Sequence, residues 1–162
     1  MRPRAAPTGE LATLLALLDE AYDRRAWHGP TLRGALRGLT AAEAARRPGP
    51  GRHNVWELVV HCAYWKYAVR RRLTGERRGG FARKGSNWFP RPEEASERAW
   101  KADLELLAKE HRQLREVVAS LPPAALDGTA AGRRRAHMIR GIAAHDLYHA
   151  GQVSLTRRVV RR

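Results

Sequence analysis

Two histidines four residues apart are the side chains of this sequence best suited to chemistry. They are His145 and His149, within Gly141-Ile-Ala-Ala-His-Asp-Leu-Tyr-His-Ala-Gly-Gln152. On a helix this spacing makes two imidazoles neighbours, about 5–6 Å apart at Cβ, so that two nitrogens can meet one metal ion. His61 occupies an inward position of another predicted helix. Three converging imidazoles would leave a coordination position for water, as catalytic zinc sites do.

These histidines also have a simpler interpretation. A histidine on an apolar helix face can be a hydrogen-bonded core residue, and an HxxxH spacing can arise by chance. From spacing alone, metal binding and a structural role therefore stay open for His61, His145 and His149. For His111, which falls on the apolar stripe of a further predicted helix, we expect a buried, hydrogen-bonded histidine.

Four long amphipathic helices must position these residues, because apolar side chains recur every three or four positions in four segments. We expect Thr8 to cap the first helix, and Asn54 with Glu57 to cap the second. The third helix is predicted to begin near Pro92, and the fourth carries the HxxxH pair.

The connection between the first two long helices is itself partly helical. Short turns are predicted over Thr31–Leu39 and Thr40–Arg47, and Thr40 with Glu43 has the spacing of a capping box. No segment alternates as a strand would. The sequence therefore predicts an all-α fold, a four-helix bundle with a long connection between its first two long helices.

Composition sets limits on the class of protein. The chain has 162 residues, 43% of them hydrophobic, which predicts one folded domain over residues 1–162 with residues 1–7 and the last few residues flexible. A single cysteine, Cys62, excludes an intramolecular disulfide framework. No apolar run reaches the roughly 20 residues of a membrane helix. No signal peptide is recognisable, so we expect a cytoplasmic protein without membrane partners.

The net charge is strongly positive, with 31 Lys and Arg against 16 Asp and Glu, giving +15. A charge of this size is typical of proteins that bind nucleic acid. However, all but four of these cations are arginines and they are scattered, in Arg70–Arg72, Arg133–Arg135 and Arg157–Arg162 among other places. This distribution is typical of a GC-rich genome, and we do not expect specific nucleic-acid binding.

Two motifs resemble a known family. They are Asn54-Val-Trp-Glu-Leu-Val-Val-His-Cys-Ala-Tyr-Trp65 and His145-Asp-Leu-Tyr-His-Ala-Gly-Gln152, and in them the chain resembles the DinB/YfiT-like superfamily of metalloenzymes. The resemblance covers almost the whole chain, including Trp27-His-Gly-Pro30 and Asn87-Trp-Phe-Pro90.

The resemblance implies a four-helix bundle that holds a divalent metal, commonly zinc or nickel. The ligands would be one histidine of the second long helix and the HxxxH pair of the last, here His61, His145 and His149. It also implies either hydrolysis or transfer of a low-molecular-weight thiol to an electrophile, with a small-molecule substrate. Relatives are often dimers, which leaves a homodimer open.

Three further residues are candidates for a catalytic role. Glu57 lies one turn before His61 and could orient an imidazole or accept a proton from bound water, although the sequence favours helix capping as its role. Gln152 could contact a bound ligand or a neighbouring helix. His28 could fold over the mouth of a pocket or stabilise a turn.

Other residues near the motifs have structural interpretations. Asp146 is rotated about 100° from its neighbour His145, which favours an outer-sphere or surface carboxylate. We expect Cys62 to be a small core residue, and Trp88 and Phe89 to pack a long loop down or wall a pocket.

The leading hypothesis is a metal-dependent enzyme in which three histidines hold a divalent ion that activates water or a thiol. The alternatives are a basic helical protein that binds nucleic acid or an acidic partner, and a metal-binding scaffold without turnover.

Overall fold

The computed structural model describes residues 9–162, apart from the side chain of Pro123, and within this range it is entirely helical. Its α-helices are α1 (Gly9–Tyr22), α2 (Leu32–Leu36), α3 (Ala41–Ala45), α4 (Val55–Thr74), α5 (Glu97–Ser120) and α6 (Ala130–Val160). A single 3₁₀ turn, Pro123–Leu126, precedes α6. The described part of the chain contains no strand, so the predicted all-α class is confirmed.

The four long helices form a closed ring of contacts. Helix α4 packs against α5 and α6, and α1 packs against the same two helices. The short helices α2 and α3 occupy the connection between α1 and α4, where α2 covers α6 and α3 contacts α4, α5 and α6. This arrangement places the middle of α4, which carries His61, beside the middle of α6. No helix among residues 9–162 has the length and apolar character needed to cross a bilayer.

The core is divided into two clusters of buried side chains. One joins α2, α3, α4 and α5 to the later part of α6, and in it Trp56 and Trp100 are buried and meet edge to face with 5.1 Å between ring centroids. The other joins α1 to the facing parts of α5 and α6 through residues such as Leu18, Leu114 and Ile139. Burial of these apolar faces supplies the main stabilisation of the fold.

Helix α4 begins with a capping box that fixes the position of its histidine. The side chain of Asn54 accepts a hydrogen bond from the backbone of Glu57 at 2.8 Å, and the Glu57 carboxylate accepts one from the backbone of Asn54. Thr40 and Glu43 form the same motif at the start of α3. Both predicted capping boxes are confirmed.

The predicted start of the third long helix is wrong. Helix α5 begins at Glu97 and not near Pro92, because the side chain of Ser96 accepts a hydrogen bond from the backbone of Ala99 and caps the helix there. The predicted Thr8 cap and the flexibility of residues 1–7 lie outside the described residues. The flexibility of the last residues stays a prediction, while α6 continues to Val160, whose side chain is buried.

The long loop between α4 and α5 is anchored by one buried carboxylate. Asp103 accepts hydrogen bonds from Trp56 Nε1 at 2.7 Å, from Arg91 Nε at 2.8 Å and from Arg83 Nη2 at 2.6 Å. The Asn54 side chain also donates to the backbone carbonyl of Arg91 at 2.8 Å. These bonds hold the residues of the loop that reach the histidines of α4 and α6.

Candidate metal centre

Three imidazoles from two helices converge at one point. His61 comes from α4, and His145 and His149 come from successive turns of α6. The Nε2 atom of His145 lies 3.1 Å from the Nε2 of His61 and 3.1 Å from the Nε2 of His149. The structure therefore brings together all three residues that the sequence singled out as candidate ligands.

Hydrogen bonds at the opposite ring nitrogens define which atoms are free. The Nδ1 of His61 lies 2.8 Å from the backbone carbonyl of Asn87, and the Nδ1 of His149 lies 2.6 Å from Oε1 of Gln152. Because both partners are acceptors, each Nδ1 must carry the proton, and each Nε2 presents a lone pair.

His145 cannot satisfy both of these lone pairs. Its Nδ1 is buried without a partner, and a proton on its Nε2 could be donated to only one neighbour at a time. At least one pair of nitrogen atoms would then face each other without a proton between them. A cation among the three Nε2 atoms satisfies every lone pair, so the donor set fits a divalent metal.

Burial keeps the three rings neutral. It lowers the pKa of His61 to about 4 and that of His145 to about 3, and each of these shifts is reinforced by neighbouring histidines. Burial also lowers the pKa of His149, although the hydrogen bond with Gln152 opposes this. Neutral imidazole is the form that coordinates a metal, so no proton has to leave these rings before an ion binds.

The loop between α4 and α5 supports His61 from two sides. Asn87, with a φ of 63°, turns its carbonyl toward the imidazole, and its side-chain oxygen accepts a hydrogen bond from Trp65 at 2.9 Å. The indole of Trp88 stacks on His61 at 3.9 Å and, on its other face, on His53 at 3.7 Å. Trp88 both packs the loop down and forms part of the wall of a cavity.

The candidate Gln152 orients a histidine. Its side-chain oxygen accepts the proton of His149 Nδ1, and its Nε2 donates to the hydroxyl of Tyr148 at 3.0 Å. This is the hydrogen-bonding role that acceptors next to metal-binding histidines usually have.

The candidate Glu57 faces other partners. Its carboxylate is buried and binds Arg47 at 2.5 Å and His53 Nδ1 at 2.8 Å, besides the backbone of Asn54. Burial raises the pKa of this carboxyl, but the hydrogen bonds from Arg47 and His53 outweigh burial and leave the pKa below its usual range. Glu57 therefore caps α4 and holds His53. His28 is exposed beside Trp27 and does not line the cavity at the histidines.

The residue after His145 is not at the surface. Asp146 is fully buried and forms an ion pair with Lys66, which is also fully buried. Burial raises the pKa of Asp146 despite the attraction of Lys66. Cys62, His145 and Asp146 also place potential ligand atoms within 4.8 Å of one another, but Lys66 already engages Asp146. Burial also raises the pKa of the Cys62 thiol, which therefore stays protonated.

A cavity of about 500 Å³ opens beside His149. Its walls are mostly apolar and include Leu58, Trp88 and Leu155, while Arg52 and His53 contribute the basic groups. This volume lies in the range of small-molecule sites. The sequence contained no signal for His53 or for the Asn87 carbonyl, because both depend on the path of the loop.

Comparison with known proteins gives one match. A family model described as the DinB superfamily matches residues 24–153, which is 130 of the 162 residues and includes all three histidines. No curated protein matches the chain. No solved structure matches it either.

Proposed function

The chain belongs to the DinB superfamily, and from this premise we propose that it is a metal-dependent enzyme whose ion is held by His61, His145 and His149. The observation that carries the proposal is the convergence of three imidazole Nε2 atoms, 3.1 Å apart in successive pairs, with two of them aimed by hydrogen bonds at Nδ1. The DinB match spans all three residues and is compatible with metal binding.

A bound divalent ion would supply Lewis acidity and lower the pKa of a coordinated water or thiol. Three neutral ligands leave the full positive charge of the ion in place, so an anionic or readily ionised fourth ligand is favoured. Zinc and nickel both accept three imidazoles. The proposed reaction is therefore hydrolysis or transfer of a low-molecular-weight thiol to an electrophile.

The remaining roles belong to the residues around the histidines. Gln152 and the carbonyl of Asn87 fix the orientation of two rings, and Trp88 keeps bulk water from one face of His61. The cavity beside His149 would bind the substrate, with its apolar part against Trp88 and Leu155. Arg52 at this cavity is suited to a carboxylate of the substrate or thiol.

Binding of small thiols and carboxylates to zinc-loaded protein tests the proposal directly. We expect saturable binding of glutathione or cysteine that is lost in His61→Ala, followed by turnover in a screen of electrophiles or esters. Binding of equal strength in His61→Ala would contradict the role of the metal in activation. Binding without any turnover would favour the scaffold without enzymatic activity.

A further inference from the structure

A second cavity lies between helix α4 and the first part of the loop that supports His61. It has a volume of about 500 Å³, and its walls come from the C-terminal half of α4 and from residues 78–86 of the loop. None of its lining residues belongs to the histidine group or to the cavity beside His149. It is therefore a separate place for a ligand.

The lining of this cavity is positively charged. Five of the 13 lining residues are cationic and none is acidic; the cations are Arg71, Arg72, Arg78, Arg83 and Lys84. Like charges that share a partly enclosed space repel one another, and such a space attracts an anion. We name these five residues the basic cavity cluster.

Most arginines with ion-pair partners lie elsewhere. Arg47, Arg115 and Arg161 each bind a carboxylate of the chain. Among residues 9–162, Arg83 is the one member of the basic cavity cluster that does so, through Asp103 at 2.6 Å. Within residues 9–162, Arg78 and Lys84 take part in no side-chain hydrogen bond or ion pair and are exposed. These two positive charges therefore have no compensating carboxylate in the described part of the chain.

A structural role accounts for only some of the cations in the basic cavity cluster. Arg71 and Arg72 are in the last turn of α4, where cations interact favourably with the helix dipole. Arg72 also lies over the ring of Trp65. Arg78 and Lys84 are on the loop, outside the helix, and have no comparable role in the described chain.

The floor of the cavity is aromatic. Tyr64, Tyr67 and Phe81 line it, and the hydroxyl of Tyr67 accepts a hydrogen bond from the backbone of Gly80 at 3.1 Å, which leaves the hydroxyl proton available to a ligand. Arginine guanidinium groups match phosphate oxygens in bidentate geometry. Aromatic walls suit the carbon part or ring of an organic molecule.

From these features we propose that the basic cavity cluster binds an organic phosphate carrying two or more negative charges. A single carboxylate would neutralise only one of the uncompensated cations. A diphosphate group carries enough negative charge to pair with more than one of them, and its organic part would lie against Tyr64 and Phe81. This site is independent of the proposed enzymatic function.

Calorimetric titration at constant ionic strength tests the proposal, with inorganic pyrophosphate and ADP as probes. The protein is first treated with chelator and dialysed, so that no metal at the histidines can bind phosphate. The double variant Arg78→Ala/Lys84→Ala removes two charges from the cavity. The control Arg24→Ala/Arg25→Ala removes two exposed charges that have no side-chain hydrogen bond in the described chain. Circular dichroism verifies that both variants fold.

We expect one ADP per chain, bound more tightly than pyrophosphate, with at least a tenfold loss of affinity in Arg78→Ala/Lys84→Ala and less than a twofold loss in the control. Equal losses in the two variants would show that net charge alone attracts the probes and would overturn the site. Absence of binding, or ADP no tighter than pyrophosphate, would also overturn it. So would a single-stranded oligonucleotide that binds more tightly than ADP and loses its affinity in the cavity variant.

Discussion

The buried histidines of this protein fall into two groups that share burial and differ in arrangement. His111 is buried as predicted, but its Nδ1 has no hydrogen-bond partner in the described chain, so the predicted hydrogen bond is wrong; the ring instead stacks on Tyr22 with 3.8 Å between ring centroids. Burial, with a contribution from Lys66, lowers its pKa to about 3. Burial likewise lowers the pKa of His61 and of His145. The second group consists of His61, His145 and His149, and in it the Nε2 atoms lie 3.1 Å apart in successive pairs. Burial and a lowered pKa therefore do not distinguish a possible metal site from a structural histidine, whereas convergence of the Nε2 atoms does.

One buried ion pair lies between the two groups. Asp146 follows His145 in α6, and the Nζ of its partner Lys66 is 5.1 Å from the ring centroid of Tyr22, on which His111 stacks. The positive charge of Lys66 adds to burial in lowering the pKa of both His111 and His145. The pair thus connects a structural histidine to a candidate ligand.

The largest effect is expected from breaking this pair. Lys66→Met leaves Asp146 as an unpaired buried carboxylate, so the free energy of unfolding should fall by about 3–5 kcal/mol in urea titrations. The double variant Lys66→Met/Asp146→Leu removes both charges and should recover most of that loss. A loss in the double variant as large as in Lys66→Met would show that packing, and not the unpaired charge, causes the effect.

An intermediate effect is expected next to the candidate ligands. Gln152→Ala removes the acceptor of His149 Nδ1, so the affinity for zinc in competition with a chromophoric chelator should fall about 10- to 100-fold. The matched control is Ser154→Ala, which removes a hydroxyl that donates to the backbone carbonyl of Ala150; this variant should bind zinc as the wild type does. Unchanged zinc affinity in Gln152→Ala would show that the hydrogen bond to Nδ1 does not orient His149 for metal binding.

The smallest effect concerns the pH dependence of stability at His111. The pKa of about 3 in the folded state lies below the value of about 6.5 of an unfolded histidine. The folded state therefore binds fewer protons in this window, so the stability present above pH 6.5 is lost as the pH falls toward 3.

We expect His111→Leu to flatten this dependence. In metal-free protein, the fall in the free energy of unfolding between pH 7 and 5.5 should be about 1 kcal/mol smaller in the variant. The zinc content of the variant should equal that of the wild type. An unchanged pH dependence of the free energy of unfolding would show that His111 does not cause the acid sensitivity. A loss of zinc in the variant would show that His111 contributes to metal binding.

The elements of the fold were predictable where local chemistry decides them. The capping boxes at Thr40 and Asn54 and the apolar stripes of the long helices follow from short-range patterns, and the structure confirms both boxes. The start of α5 was misplaced because several residues near Pro92 have helix-start character, and only the hydrogen bond of Ser96 selects Glu97.

The site was predictable in its histidines and not in their surroundings. The spacing of His145 and His149 is a local property of one helix, which is why it indicates a shared ligand position. The pairing of Lys66 with Asp146 joins residues 80 positions apart, and the carbonyl of Asn87 is a backbone group without a residue signature. Both depend on the packed structure.

The metal content of the protein tests the central claim most directly. Wild-type, His145→Ala and His137→Ala proteins, purified without chelator, are loaded with zinc, desalted and measured by inductively coupled plasma mass spectrometry. His137 is exposed on the same helix and controls for loss of a histidine outside the group. We predict about one ion per chain in the wild type and in His137→Ala, and almost none in His145→Ala. Equal metal content in the two variants would contradict the assignment of the three histidines.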